Sequence, residues 1–268
     1  MNNILLTIII IILLIILLLN LFNNKQETFN NEIIPKVIYL SYKTKDIPDY
    51  IIPNWKKLYP DYEVKLYDNN DCIHFLKTEY TNEYVDIFNY IKDGPIKADF
   101  WRVCVLYKYG GIYSDIDVEP LVSIEKIIEN DTSFLTCLSA MINNTNPHFI
   151  ASIPNHKVLK MCIDKYLEMY RNKKKYTYWR WSITGIMKDS LYNIFGKYNT
   201  KEGIYYDKDN NKYQFLKEVI PLKPTDLSYF NLKNLLLKII FKSNDIYCKY
   251  NNIKILNNRY KSYVDHSF

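Results

Sequence analysis

The segment from Gly94 to Leu121 constrains this chain more than any other, because it joins a long apolar run to a short extended stretch through a glycine pair. Ile96 to Tyr109 is apolar along most of its length and predicts a central helix. Gly110 can end that helix in a left-handed conformation, and Gly111 lets backbone come close to a ligand. Beyond the pair, Asp115 and Asp117 stand at alternate positions. Side chains two apart on a strand point to the same face. The two carboxylates can therefore converge on one hard cation, Mn²⁺ or Mg²⁺, which completes its shell with water and phosphate oxygens.

An isolated Asp-x-Asp is common at solvated turns. Here it sits in a larger constellation, Ala98-Asp99-Phe100-Trp101-Arg102 followed by Tyr109-Gly110-Gly111-Ile112-Tyr113-Ser114-Asp115-Ile116-Asp117. This block resembles the donor-binding core of the glycosyltransferases that carry the DXD sugar-binding motif. Within them it is most similar to family 32, with its initiating mannosyltransferases and inositol-phosphoceramide mannosyltransferases. The resemblance implies an α/β domain of the GT-A nucleotide-sugar type with a mostly parallel central sheet. It implies a nucleoside-diphosphate sugar as donor, with Gly111, Tyr113 and Asp115 at the donor and Asp115 and Asp117 on the metal. It also implies that Asp99 orients the donor sugar and that Arg102 meets the leaving diphosphate. Arg suits phosphate through its planar fork, and there are only four in the chain. The plainer reading of Asp99 and Arg102, three apart on one helix face, is an intrahelical ion pair.

Pro35 to Tyr42 reads as the opening strand and resembles the start of the family's domain, with Tyr39 in place of His, Leu40 of Gln and Tyr42 of Trp. Tyr42 is then either a stacking surface for the nucleotide base or a core residue at a strand end. Alternating strand and helix patterns follow, with Asn69-Asn70-Asp71 capping a helix and His156 starting another. Thr184-Gly185 resembles a family turn on the acceptor side, and Arg180 and Trp181 either frame a sugar or, for Trp181, fill the core. Asn231 to Lys242 is amphipathic, fit to cover the sheet or to lie in a membrane interface. At the end, His266 and Ser267 map onto a family segment that closes over metal and diphosphate, though Phe268 stands where Trp is expected. A frayed terminus is the other reading of that segment.

Ile4 to Phe22 is almost wholly Ile and Leu, long enough to span a bilayer. It has no basic residues before it and no small residues for cleavage, so it reads as an uncleaved signal anchor. The expected organisation is an anchor at 1–24, a polar linker at 25–34 and a catalytic domain at 35–268. The resemblance places that domain in the lumen of the Golgi or another endomembrane compartment, while Lys25 and Lys36 after the span do not favour it. Net charge is +6 with scattered lysines, which gives no stripe for nucleic acid. The five cysteines are far apart, without the spacing of a zinc site, and leave room for one or two disulfides in a lumenal domain.

These features lead to a membrane-anchored, metal-dependent transferase moving a hexose, mannose by analogy, to a glycan or glycolipid acceptor with retention. No residue stands out as nucleophile or general base. A membrane-tethered nucleotide-sugar-binding protein without turnover is the rival, fed by the changes at Tyr39, Leu40 and Phe268. A phosphohydrolase would need more His and Asp ligands near the motif.

Overall fold

The computed structural model describes residues 34–140, 144–197, 201–220 and 246–258. All of these belong to one unit, Ile34–Phe268. The apolar run at 4–22, the linker up to residue 33, the amphipathic stretch at 231–242, and His266 and Ser267 lie outside the described residues. Among the described residues no helix is long and apolar enough to cross a membrane.

The chain opens with β1 (Val37–Ser41), α1 (Ile51–Leu58), β2 (Glu63–Tyr67), α2 (Asn69–Glu79) and α3 (Asn82–Tyr90). The cap of α2 is Asp68, one residue before the predicted Asn69. Its side chain accepts from Asp71 N–H while Asp71 accepts from Asp68 N–H, a reciprocal capping box. Then come α4 (Gly94–Tyr109), β3 (Gly111–Asp115), β4 (Val118–Pro120), β5 (Thr132–Leu138) and β6 (Thr145–Ser152). The remainder comprises α5 (Lys157–Arg171), α6 (Tyr178–Trp181), α7 (Ile183–Phe195), β7 (Gly203–Tyr206), β8 (Lys212–Val219), β9 (Tyr247–Tyr250) and β10 (Ile253–Asn258). His156 caps α5, its Nδ1 accepting from Val158 N–H, as its position before the helix predicts.

The strands form one sheet in the order β2-β1-β3-β6-β5-β8-β9-β10-β4, with β7 also on β8. Strand alternation sends successive side chains to opposite cores. Ile38, Leu40 and Ile112 pack on one face with Trp55 of α1, while Tyr39 and Tyr113 pack on the other with Trp101 of α4.

The expected mostly parallel sheet is corrected. Pairing is parallel at β1 with β2 and β3 and at β5 with β8, but antiparallel at every other pair among the described residues. The reason is connection length: tight turns such as β9 to β10 can join only antiparallel strands, whereas parallel neighbours need crossovers. The result is a mixed half-barrel. Its last strand in space, β4, is only two residues along the chain from β3.

Candidate active site

Helix α4 is buried without a break from Asp99 to Leu106, as its mostly apolar middle requires. It stops at Gly110, with φ +64°, whose N–H donates to Leu106 O. A Cβ there would meet Ser152 O and the Pro154 ring at 2.8 Å. Gly111, at φ +100°, has the Val37 carbonyl 2.8 Å from where a Cβ would lie. The close approach that Gly111 permits is therefore to β1. The glycine pair sets β3 hard against β1 and aims its end outward.

Asp115 closes β3, and Asp117 lies in the turn to β4 rather than on the same strand. Ile116 is buried between them, so the chain turns about an apolar pivot. Both carboxylates still line one cleft of about 350 Å³, which also has His148, Trp179, Glu218 and Asn258 on its walls.

Asp115 is held from behind. Its Oδ1 accepts from Tyr113 O–H at 2.9 Å and from Arg102 Nη2 at 2.9 Å. Tyr113 is itself fully buried, its hydroxyl 3.2 Å from Ser41 Oγ, and the Arg102 guanidinium lies 4.4 Å from its ring centre. Arg102 is 4% exposed, and each of its three side-chain nitrogens has a protein acceptor. Nη1 donates to Pro147 O at 2.6 Å, Nε to Ala98 O at 3.4 Å, and Nη2 also to Asp99 Oδ1 at 2.8 Å. Asp99 Oδ2 accepts from Ile183 N–H, tying α4 to the start of α7.

Neither Asp99 nor Arg102 is on the cleft wall. The structure places them beneath Asp115, so the fork expected to meet phosphate is occupied by protein acceptors. Burial pushes the Asp99 carboxyl up to about 6, against the pull of Arg102 and the Ile183 N–H. Burial also works against the Arg102 charge, but Asp115, Tyr113 and Asp99 outweigh it and hold the guanidinium protonated.

Tyr42 follows β1 with its N–H on Tyr67 O, half-buried and away from the cleft wall. Trp181 is fully buried against Tyr166 and Tyr176 and belongs to the core. Its neighbour Trp179 is 79% exposed and lines the cleft with Tyr178. Thr184 lines it too, its carbonyl accepting from Thr145 Oγ1.

Sequence reasoning missed Glu218, His148 and Trp179. Glu218 Oε1 accepts from Asn146 and Asn258, and Oε2 from Ala140 N–H. It knots β6, β10 and the end of β5 round the cleft. No local pattern marks it, since these partners are far apart in the chain. Trp179 was within reach: an aromatic beside a core Trp on a four-residue helix points the opposite way.

Residues 48–134, which contain α4, β3 and both carboxylates, match the family described as the glycosyltransferase sugar-binding region containing DXD motif. The likeness is to the sugar-binding region of the DXD glycosyltransferases. Mannosyl phosphorylinositol ceramide synthase SUR1 of Saccharomyces cerevisiae is 37% identical over 93 residues, covering 32% of this chain and 23% of that protein. Inositol phosphoceramide mannosyltransferase 3 of Schizosaccharomyces pombe is 35% identical over 104 residues, 37% of this chain and 28% of that protein. The matches thus span under a third of either relative. Among solved structures, PaToxG Glycosyltransferase overlays with a TM-score of 0.47 and 18% identity over 60% of this chain and 68% of that one, too loosely to carry an argument. The DXD region as folded here offers two hard oxygen donors from opposite sides of one turn, a set that fits Mn²⁺ or Mg²⁺.

Proposed function

We propose that the chain is a retaining glycosyltransferase that moves a hexose, mannose in the first instance, from a nucleoside-diphosphate sugar to a glycan or glycolipid acceptor. One observation carries this reading: Asp115 and Asp117 line a single cleft, and Asp115 is fixed there by Arg102 and Tyr113. The names of the DXD relatives, which are mannosyltransferases of inositol phosphoceramide, support the choice of sugar and of a glycolipid acceptor.

Asp117, with Asp115 beside it, would hold the divalent ion. The bound ion supplies positive charge for the leaving diphosphate, the kind of electrostatic stabilisation that usually dominates such chemistry. Arg102 acts as a positioning residue: it orients Asp115 and neutralises part of its charge, and it does not itself touch phosphate. Asp99 anchors Arg102. Trp179 offers a broad, exposed aromatic face at the cleft, suited to stack on a sugar ring. His266 and Ser267 keep their proposed places in closing the donor site, and the apolar run at 4–22 its role as membrane anchor in an endomembrane compartment.

The rival reading, a binder without turnover, drew on Tyr39, Leu40 and Phe268. Tyr39 and Leu40 are core residues, 3% and 0% exposed, so those two changes fall in packing and not in the cleft, while Phe268 lies outside the described residues. The test is incubation of the full chain, in detergent, with Mn²⁺ and a panel of nucleotide sugars including GDP-mannose. Mn²⁺-dependent transfer or release of one sugar is expected. Nucleotide binding with no turnover of any donor would establish the binder instead, and phosphate release from simple esters the hydrolase.

A further inference from the structure

Cys137 on β5, His148 on the neighbouring β6 and Cys248 on β9, two strands from β5, have donor atoms within 4.8 Å of one another. The curl of the half-barrel brings them together at the cleft's inner wall. Cys137 and Cys248 are completely buried. Their sulfurs are 2.7 Å apart, and Cys248 Sγ is 3.3 Å from His148 Nε2.

Two unbonded heavy atoms rest about 3.5–4.0 Å apart, and a disulfide is about 2.05 Å long. The observed separation is too short for two thiols in simple contact and nearer the bonded distance. A tetrahedral zinc with Zn–S of about 2.3 Å would instead hold its sulfurs roughly 3.8 Å apart, which would force this pair open. We propose that Cys137 and Cys248 form a disulfide that ties β5 to β9 beside the cleft.

The chemistry has its parts in place. Burial opposes the Cys248 thiolate, but Cys137 and His148 bring that thiol down to about 7, while burial pushes Cys137 well up. Cys248 is thus the attacking sulfur and Cys137 the resolving one. Cys248 gives its proton to His148 Nε2, and the thiolate attacks a small-molecule disulfide of the glutathione type, releasing one small thiolate. Cys137 then loses its proton and attacks Cys248 Sγ, which breaks the mixed disulfide and releases the second small thiol. Two protein thiols and one small disulfide become one protein disulfide and two small thiols. Neither sulfur is exposed, so the exchange takes place as β9 docks on β8, when Cys248 already lies beside His148 and the small disulfide can still reach it. Once formed, the bond is sealed from reductant.

The link would join residues 111 positions apart and brace the wall that carries Ser139, Ile246 and Asn258. It stands or falls independently of the glycosyl-transfer reading. The test uses the full chain expressed through a secretory route, denatured and alkylated without reductant, then digested and mapped. Cys72, Cys104 and Cys162 should carry the alkyl group, and the Cys137 and Cys248 peptides should be found joined. In parallel, added reductant during denaturation should lower the melting temperature of the wild type but not of Cys137→Ser or Cys248→Ser. Alkylation of both Cys137 and Cys248 in unreduced protein would overturn the proposal. So would one zinc per chain with both thiols released by a chelator, which would make the cluster a metal clip.

Discussion

The two limbs of the sheet are built on different plans. In the limb β2-β1-β3, with α4 beneath it, the strands are parallel and the groups that shape the site are close in sequence: Asp99, Arg102, Tyr113 and Asp115 lie within one helix, one glycine pair and one strand. In the limb from β6 round to β4 the pairings are mostly antiparallel, and the cleft wall is assembled from Ser139, His148, Glu218 and Asn258. The first limb holds a charge in place through a buried network. The second gives the cleft its shape through long-range contacts. A local limb can be changed at one residue with large effect, whereas the assembled limb spreads each function over several strands.

The largest effect should come from the first limb. Arg102→Ala leaves Asp99 and Asp115 without their shared counter-charge, and breaking a buried pair in this way costs about 3–5 kcal/mol. Denaturant unfolding should show that loss. A change within about 0.5 kcal/mol would mean that the network carries no structural load. Next, Asp117→Ala should lower donor turnover about 10²- to 10³-fold, in line with removal of one electrostatic element from an active site. Its side chain lies in a turn, so the unfolding curve should barely move. Near-normal turnover would remove Asp117 from the cation site.

A third measurement sharpens the account of Asp99. Its carboxyl is raised to about 6 in the folded state from an ordinary value near 3.9. Between those values the native state binds more protons than the unfolded state, so this group makes the protein less stable as pH rises from about 4 to about 6. Asp99→Asn should lack that decline, a difference from wild type of about 3 kcal/mol across the window and constant above it. Parallel stability profiles for the two proteins would show that Asp99 is not raised. The smallest effect belongs to α6, which adds Trp179 to the cleft wall from outside both limbs. Trp179→Ala should raise the KM for a sugar acceptor about three- to tenfold, the size of an aromatic contact, while stability stays within about 0.5 kcal/mol. A fall in stability with unchanged KM would return Trp179 to packing.

The same division explains what could be read from the sequence. The helix, the glycine pair and the carboxylates were legible because their geometry is set by neighbours in the chain. The glycines were recognised, and their close approaches are to Ser152 and Pro154 at Gly110 and to Val37 at Gly111. Arg102 was picked out by its scarcity, but its burial depends on Pro147 and Asp115 meeting it in space. Glu218 and the Cys137–His148–Cys248 group were illegible, because each needs strands brought together by the curl of the sheet. The mixed strand directions escaped for a like reason: alternation of helix and strand speaks to layers and leaves direction open.

The short turn between β3 and β4 has a mechanical consequence. Asp115 is anchored, through Arg102, to α4 and the parallel strands, whereas Asp117 adjoins β4, which is hydrogen-bonded to β10. The two carboxylates thus ride on opposite sides of a seam. Strain that pulls the β9–β10 hairpin outward would therefore reach Asp117 through β4 while Asp115 stays with α4.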